Sequence, residues 1–419
     1  YGLVGSEMCI RDRYVEGVLR DLCARFGFAE IRTPLFEHTE LFQRGIGDTT
    51  DVVEKEMYTF ADRGQRSITL RPENTASAVR AFVEHKMYAD PDPTKLFYIG
   101  PMFRYDRPQA GRQRQFHQFG VEALGIPTPT IDAEVILLAV QILRSLGLRD
   151  LQLKINTVGC PNCRPAYRLK LQDYFRPHLA ELCKDCQGRF ERNPMRILDC
   201  QNERCHALAA GAPKLAECLD EECKQHFAAV QELLTAAGVE FTIDPTLVRG
   251  LDYYTRTAFE IQYPPLGAQS AVCGGGRYDG LVEEIGGPAT PGIGFAMGLE
   301  RVLLALQSQN LLPASKAAMD VFVVAPKPEV AALTFQTVEK LREAGLKTAY
   351  DYRQGSMKSQ MKAADRSGAG YVLIFGEDEV ARNMVTLRDM KTADKEHNQK
   401  EIPLADITTI LMTEVQKND

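Results

Sequence analysis

"FRYDRPQAGRQRQFHQFGVEALG", residues Phe103–Gly125, sets two apolar stretches around a polar loop dense in arginine. With "KLFYIGPM" ahead of it, the pattern reads strand, long polar loop, strand: an antiparallel hairpin with a basic tip. Arg104, Arg107, Arg112 and Arg114 outweigh Asp106, giving a local charge of +3 between Arg104 and Gln115. On the returning strand Phe116, Gln118 and Glu122 are separated by even steps, so their side chains share one face. Arginine supplies a planar fork for phosphate, and an aromatic ring on the same surface supplies a stacking platform for a base. A nucleoside triphosphate satisfies both. A solvated basic hairpin tip accounts for the arginines alone.

The segments on either side build a sheet with helices. Val15, Val18, Leu19, Leu22 and Phe26 recur at helical spacing from Tyr14 to Phe26, and Gly27 stops that helix. "FAEIRTPLFE" follows as a strand containing Pro34, which places it at an edge or interface. "RSITLRPENTASAVRAFVEH" reads as strand, turn and helix, "DAEVILLAVQILRSLGL" as an amphipathic helix, and "LQLKINTVG" as a strand. These make a first core segment, residues 14–159. Residues 160–238 are helical, charge-rich and dotted with cysteine, an inserted module. Strands resume over residues 239–310, ending in "GIGFAMGLERVLLALQ", a Gly-rich strand running into a helix. Beyond a linker near Leu311 to Ala318, strand–helix alternation over residues 317–419 predicts a small α/β domain with a mostly parallel sheet. The first thirteen residues, "YGLVGSEMCIRDR", lack an initiator Met and a clean period; they read as an anomalous stretch from a truncated or misread 5′ end.

Composition narrows the classes. The 419 residues suffice for two or three cores, and 44% apolar with 25% charged residues is ordinary for a globular protein. No apolar run approaches the ~20 residues that span a bilayer. A net charge of −6 excludes a globally basic nucleic-acid coat but leaves room for basic patches. There is no secretory leader, and the eleven cysteines fall partly in CxxC pairs, so a cytoplasmic location with metal or redox use is expected rather than disulfides.

"RGLDYYTRTAFEI", Arg249–Ile261, loads polar groups onto what reads as a buried strand. Buried polar groups are bonded to one another or to a ligand. No G-x-x-x-x-G-K-[ST] loop exists, so a P-loop NTPase is not supported. "FRYDRPQAGRQRQFHQFGVE" resembles motif 2 of class II aminoacyl-tRNA synthetases, and "GIGFAMGLERVLLAL" resembles their motif 3. "RTPLFE" looks like motif 1, which in that class lies at the dimer interface. "LVRGLDYYTRTAFE" and "CGGGRYDGL" look like the pair peculiar to histidyl-tRNA synthetases. The match runs from about Tyr14 to the C-terminus. It departs from the family in lacking an R-G-T-x-D lead-in and in carrying Asn74 where many relatives have Gly.

The resemblance implies an α+β fold: an antiparallel sheet flanked by helices, an inserted helical module and a C-terminal α/β anticodon-binding domain, assembled as a homodimer. It implies that L-histidine, ATP with Mg²⁺ and the tRNA for histidine are the partners. Histidine's carboxylate would attack the α-phosphate of ATP, so fixed cations and alignment matter more than a base. By the family pattern Arg104 grips the α-phosphate and the substrate carboxylate, Arg249 sits across that phosphate in place of a metal ion, and Phe116 and Arg301 sandwich the adenine, with Arg112 also on ATP. Glu73, Thr75 and Gln118 match the residues for the α-ammonium; Glu122 and Tyr254, with Tyr253 beside them, match those for the imidazole. Gly274, Gly275 and Gly276 would bring backbone against the ligand, with Asp252, Arg277 and Asp279 as supports.

Cys160-Pro-Asn-Cys163 and Cys183-Lys-Asp-Cys186 have zinc-knuckle spacing, with Cys200, Cys205, Cys218 and Cys223 nearby. Any zinc there would be structural, and unmetallated cysteines are the alternative. "GSMKSQMK", Gly355–Lys362, looks like the KMSKS loop of class I synthetases, but no H-x-G-H partner exists. It reads better as a helix with Lys358, Lys362 and Arg366 on one face, suited to tRNA phosphates or simply to solvent. The rival to a ligase is a non-catalytic synthetase-like regulatory subunit of ATP phosphoribosyltransferase. Those relatives lack the C-terminal domain and parts of the site present here. A free-standing nucleotide- or histidine-binding module leaves the last hundred residues unexplained.

Overall fold

The computed structural model describes residues 6–47, 50, 52–106, 111–200, 202–248, 253–312, 319–353, 355–392 and 398–416, with the side chains of 6–11, 268, 269 and 416 excepted. Arg107, Arg249 and Asp252 lie outside the described residues. The chain divides into two compact units, one spanning Arg11–Pro313 and the other holding Ala314–Asp419.

An eight-stranded sheet organises the larger unit. Across it run Ala29–Glu30, Thr94–Phe103, Gln115–Leu124, Gly292–Gly298, Ala271–Arg277, Thr255–Gln262, Gln152–Thr157 and Thr242–Ile243. The six inner strands pair antiparallel, and only the two-residue strands at either edge pair parallel. The arginine-tipped hairpin is its centrepiece, with Pro101 opposite His117 and Phe103 opposite Gln115.

The period of two along these strands separates core from cavity. Phe119, Val121 and Ala123 face one way, with Ile293, Phe295 and Met297 of the neighbouring strand. Helices Ser6–Arg25, Pro129–Ser145 and Leu299–Ser308 cover that face with Leu19, Val135, Leu138, Ile142, Val302 and Leu306. Truncating a ring such as the fully buried Phe119 to alanine is worth about 3–5 kcal/mol. The alternate residues Phe116, Gln118 and Glu122 face the other way, into a cleft.

Several boundaries differ from those expected. The first helix begins at Ser6, eight residues before Tyr14. The strand expected around Pro34 is broken: Ala29–Glu30 joins the large sheet, while Phe36–His38 joins a three-stranded sheet with Ser67–Leu70 and Tyr58–Ala61. Proline has no N–H for a ladder, and the chain changes sheets across it. The strand expected from Arg249 starts only at Thr255, so Tyr253 and Tyr254 stand just ahead of it.

The inserted module runs from Cys160 through helices Arg164–Phe175, Lys184–Arg192, Glu203–Ala209 and Glu221–Ala236. Its buried Tyr167, Leu171, Phe175, Phe190 and Ile197 belong to one cluster with Phe82, Leu124 and Tyr278 outside the module. In the smaller unit, Thr348–Tyr350, Val321–Val324 and Tyr371–Ile374 are parallel, as expected. Met384–Asp389 and Gln399–Pro403 extend the sheet antiparallel, a feature the alternating pattern did not show. Among the described residues, no helix is long and apolar enough to cross a membrane.

Candidate active site

The cleft on the open face of the sheet is a cavity of about 310 Å³. Ten of the side chains assigned to ligands from sequence border it: Glu73, Thr75, Arg104, Arg112, Phe116, Gln118, Glu122, Tyr253, Tyr254 and Arg301. They come from the turn before helix Thr75–Glu84, both arms of the hairpin, the segment ahead of Thr255–Gln262, and helix Leu299–Ser308.

One group is acidic and hydroxyl-rich. Glu73 accepts the backbone N–H of Thr75 at 2.6 Å and of Ala76 at 3.0 Å, satisfying donors that the start of a helix leaves unpaired. Glu122 is 1% exposed. Its Oε1 accepts from Thr75 Oγ1 at 2.7 Å and from the Tyr98 hydroxyl at 3.1 Å, and its Oε2 accepts from the Tyr278 hydroxyl. Burial pushes its carboxyl up to about 8 despite those donors, with Glu73 adding to the rise. Burial also raises Glu73. Gln118 Oε1 is buried with no hydrogen-bond partner among the described residues. Tyr253 stacks at a tilt 4.7 Å from Tyr254 and edge-on 5.7 Å from Tyr278.

The other group is cationic. Arg301 donates from Nε to the Gly111 carbonyl at 3.0 Å and from Nη1 to that of Ala271 at 2.9 Å. Burial, and then the charges of Arg112 and Arg104, hold its guanidinium below the ordinary value. Arg112 pairs with Asp106 at 3.0 Å. Arg104 donates from Nε to the Pro72 carbonyl at 2.8 Å and lies 5.4 Å from the Phe116 ring centre. It interacts electrostatically both with Arg301 and with Glu73, and so stands where the two groups meet.

Two of the three glycines expected against a ligand serve the sheet instead. A Cβ on Gly275 would lie 2.2 Å from the Gly294 carbonyl, and one on Gly276 would lie 2.4 Å from that of Thr257. Only Gly274 borders the cavity. Arg277 and Asp279, expected as supports and not as ligand contacts, do not line it. The fully buried Arg277 guanidinium is committed to Asp132, to Asp279 at 3.0 Å and to the Ile126 carbonyl at 3.1 Å.

Comparison with known proteins decides the family. A family profile described as Histidyl-tRNA synthetase matches residues 8–162 and 171–302, and one described as Anticodon binding domain matches 320–413. The chain belongs to the histidyl-tRNA synthetase family. It is 53% identical over 399 residues to the histidine–tRNA ligase of Desulforamulus reducens, covering 95% of this chain and 94% of that one. It is 56% identical over 391 residues to that of Moorella thermoacetica, covering 93% and 92%. The crystal structure of apo S. aureus histidyl-tRNA synthetase superposes with a TM-score of 0.79 at 40% identity, covering 95% of each chain. The class II fold expected from the five motifs is thereby shown.

Within this histidyl-tRNA synthetase fold, sequence reasoning missed the hydroxyls that hold Glu122. Tyr278 stands inside the quoted "CGGGRYDGL" and carried a signal; Tyr98, on the outgoing arm of the hairpin, carried none. Gly120 and Gly294 make room for this network, because a Cβ there would lie 2.3 Å from the Tyr98 hydroxyl and 2.1 Å from Glu122 Oε2. Asp132 was missed as well. It accepts from Thr257 Oγ1 at 2.5 Å, meets His226 Nε2 at 2.8 Å, and pairs with Arg277. Burial alone would raise its carboxyl, but His226 and Arg277 hold it below the ordinary value. Asn74 has a local reason: its Oδ1 accepts from Thr33 Oγ1 at 2.5 Å and from Arg71 Nη1 at 3.1 Å.

The zinc expectation needs correction. Cys160, Cys163, Cys183 and Cys186 do not form one set. Cys183 and Cys186 gather with Cys200 and Cys205, while Cys160 and Cys163 gather with Asp220 and Cys223. Knuckles near in sequence are drawn apart because each is completed by a later helix start. In the smaller unit, Lys358, Lys362 and Arg366 are all exposed on helix Met357–Ser367.

Proposed function

We infer that this chain joins L-histidine to its tRNA in two steps at the cleft described above. The histidine carboxylate attacks the α-phosphorus of ATP, a carboxyl–phosphate bond forms, and pyrophosphate leaves. A terminal hydroxyl of the tRNA then attacks the acyl carbon of the adenylate, and AMP leaves. Negative charge gathers on the α-phosphate oxygens in the first step, and fixed guanidiniums meet it without reorganising.

The observation that supports this best is the position of Arg104 between an acidic group and a cationic group in one cavity. A reactant carrying an ammonium and a carboxylate, joined to one carrying phosphates, has that charge order. Arg104 then bridges carboxylate and α-phosphate, with Arg249 assigned opposite it by the family pattern. Arg112 and Arg301 take ATP, with Phe116 and Arg301 on the adenine. Glu73, Thr75 and Gln118 take the α-ammonium. The orphan acceptor on Gln118 supports this, since a buried unpaired group costs about 1–3 kcal/mol until a donor arrives. Glu122, Tyr253 and Tyr254 read the imidazole, and apolar isosteres would leave these polar groups unpaired.

Mg²⁺ takes oxygen ligands, and the buried Glu300 Oε2, with no protein partner among the described residues, fits that chemistry at the cavity wall. Bound with ATP, the ion would neutralise phosphate charge.

The domain assignment follows: residues 14–159 and 239–310 as catalytic core, 160–238 as inserted module, and 317–419 as anticodon-binding domain, with Lys358, Lys362 and Arg366 toward tRNA phosphates. A homodimer through the motif 1 region is supported by Leu35, Phe36 and Phe60, apolar side chains 45–55% exposed on and beside the three-stranded sheet. A regulatory role is disfavoured by the matched anticodon-binding domain and the filled site. The test is ATP–pyrophosphate exchange with each of the twenty amino acids. Exchange with histidine alone is expected; exchange independent of histidine, or none, would overturn the reading.

A further inference from the structure

The cysteines of the inserted module take no part in that chemistry, yet seven of them are not scattered. In one cluster the ligand atoms of Cys183, Cys186, Cys200 and Cys205 all lie within 4.8 Å of one another, as do those of Cys160, Cys163, Asp220 and Cys223 in the other. Tetrahedral zinc with Zn–S of about 2.3 Å sets its sulfurs about 3.8 Å apart. The Sγ atoms of Cys183 and Cys200 are 3.9 Å apart, and those of Cys160 and Cys163 are 3.5 Å apart. All seven thiols are free, and all but Cys183 are buried.

The surroundings are built for thiolate. The Cys183 N–H donates to Cys205 Sγ, and the Asp220 N–H donates to Cys163 Sγ, each at 3.2 Å. Such bonds orient ligand sulfurs and stabilise their charge. Asp220 divides its carboxylate: Oδ1 caps helix Glu221–Ala236 by accepting the Cys223 N–H at 2.8 Å, and Oδ2 is turned to Cys160 Sγ at 3.1 Å. An N-cap needs one oxygen only, which leaves the other for a metal.

We propose that the inserted module holds two zinc ions at separate centres, one closed by four thiolates and one by three thiolates and the Asp220 carboxylate. Their places in the fold differ. The four-sulfur centre lies within the module and ties helices Lys184–Arg192 and Glu203–Ala209 together. The Asp220 centre closes the module's neck. Cys160 and Cys163 come directly after core strand Gln152–Thr157, and Asp220 and Cys223 open the helix that returns to the core. That neck abuts the cleft, because Arg164 donates to the carbonyls of Val158 and Tyr254. A metal bridging both ends of a long insertion restricts the open chain, so its binding energy is folding energy for the module.

The test is metal analysis of the full-length protein, expressed with zinc supplied and purified reduced and without chelator. Two zinc per chain are expected, with an X-ray absorption first shell of seven sulfurs to one oxygen over the two ions. Cys200→Ser with Cys205→Ser should leave one zinc bound by sulfur and oxygen; Cys160→Ser with Cys223→Ser should leave one bound by sulfur alone. Asp220→Asn retains a capping oxygen and should lose one zinc to EDTA dialysis that the unaltered protein survives. Fewer than two metal ions in the reduced, unaltered protein, or iron in their place, overturns the pair. A sulfur-only first shell overturns Asp220 as a ligand. The metal count and absorption spectrum require no variant to fold, and neither depends on ligase activity.

Discussion

Glu122 shows how much a single position can carry. Its folded value of about 8 lies above the ordinary 4.5, so between those pH values the folded protein holds a proton that the unfolded chain has released. Because proton binding and folding are linked, its contribution to stability is full below about pH 4.5 and is lost as pH rises through 8. Glu122→Gln removes that titration while keeping an oxygen that accepts from Thr75 and Tyr98 and turning an amide donor toward the Tyr278 hydroxyl, which can accept. The melting temperature of the variant relative to the unaltered protein should therefore climb from pH 5 to pH 8. A constant difference across that range would show that Glu122 ionises normally. Glu73 is shifted the same way by burial and is present in both proteins, so the difference between them reports Glu122 together with its coupling to Glu73. The chemistry of Glu122 was visible from motif 2. Its partners were not, since Thr75, Tyr98 and Tyr278 lie 47, 24 and 156 residues away.

Strand register converts those residues into a site. Glu122 stands opposite Gly294, and Gln118 opposite Gly298, across the junction of motifs 2 and 3. The glycine of motif 3 therefore makes space for a side chain of motif 2. A methyl at Gly294 would lie 2.1 Å from Glu122 Oε2 and 2.2 Å from the Val121 carbonyl, so one of them must move. Gly294→Ala should raise KM for histidine in pyrophosphate exchange by about tenfold, equivalent to about 1.4 kcal/mol, with a smaller change for ATP. Equal losses for both substrates would mean that the sheet, not Glu122, had shifted. The same register explains why Gly275 and Gly276 were misread as ligand contacts: glycine admits close approach of any backbone, and here neighbouring strands use it. A one-segment reading cannot distinguish a ligand from a strand as the object being approached.

The assembled chain makes its own predictions. The cavity proposed for adenylate chemistry has a lining wholly within Arg11–Pro313. Ending the chain before Ala317 should thus retain histidine-dependent pyrophosphate exchange while lowering tRNA charging at least tenfold. Loss of both activities together would place the last domain in the architecture of the cleft. At the motif 1 sheet, Phe36 is 55% exposed and pairs across to Leu70; in the proposed homodimer a charge there meets an apolar partner, whereas in a monomer it meets water. Phe36→Asp should halve the mass measured by light scattering without loss of helix signal in circular dichroism. An unchanged dimer would move the interface elsewhere.

Element types, their order and the chemical character of the cleft are written locally. Helical and alternating periods record which side of one segment is buried, and arginine beside aromatic or carboxylate beside hydroxyl records what that segment holds. Five ordered motifs add the family and, with it, the roles of distant residues. Tertiary structure alone decided which distant groups meet: Asp132 with Arg277 across 145 residues, Cys160 with Asp220 across 60, and Tyr278 with Glu122. Such pairings leave no periodic trace in either segment, because they are set by sheet order and by where each insertion returns to the core. The two cysteine centres show the consequence, since spacing identified the knuckles while folding chose their partners.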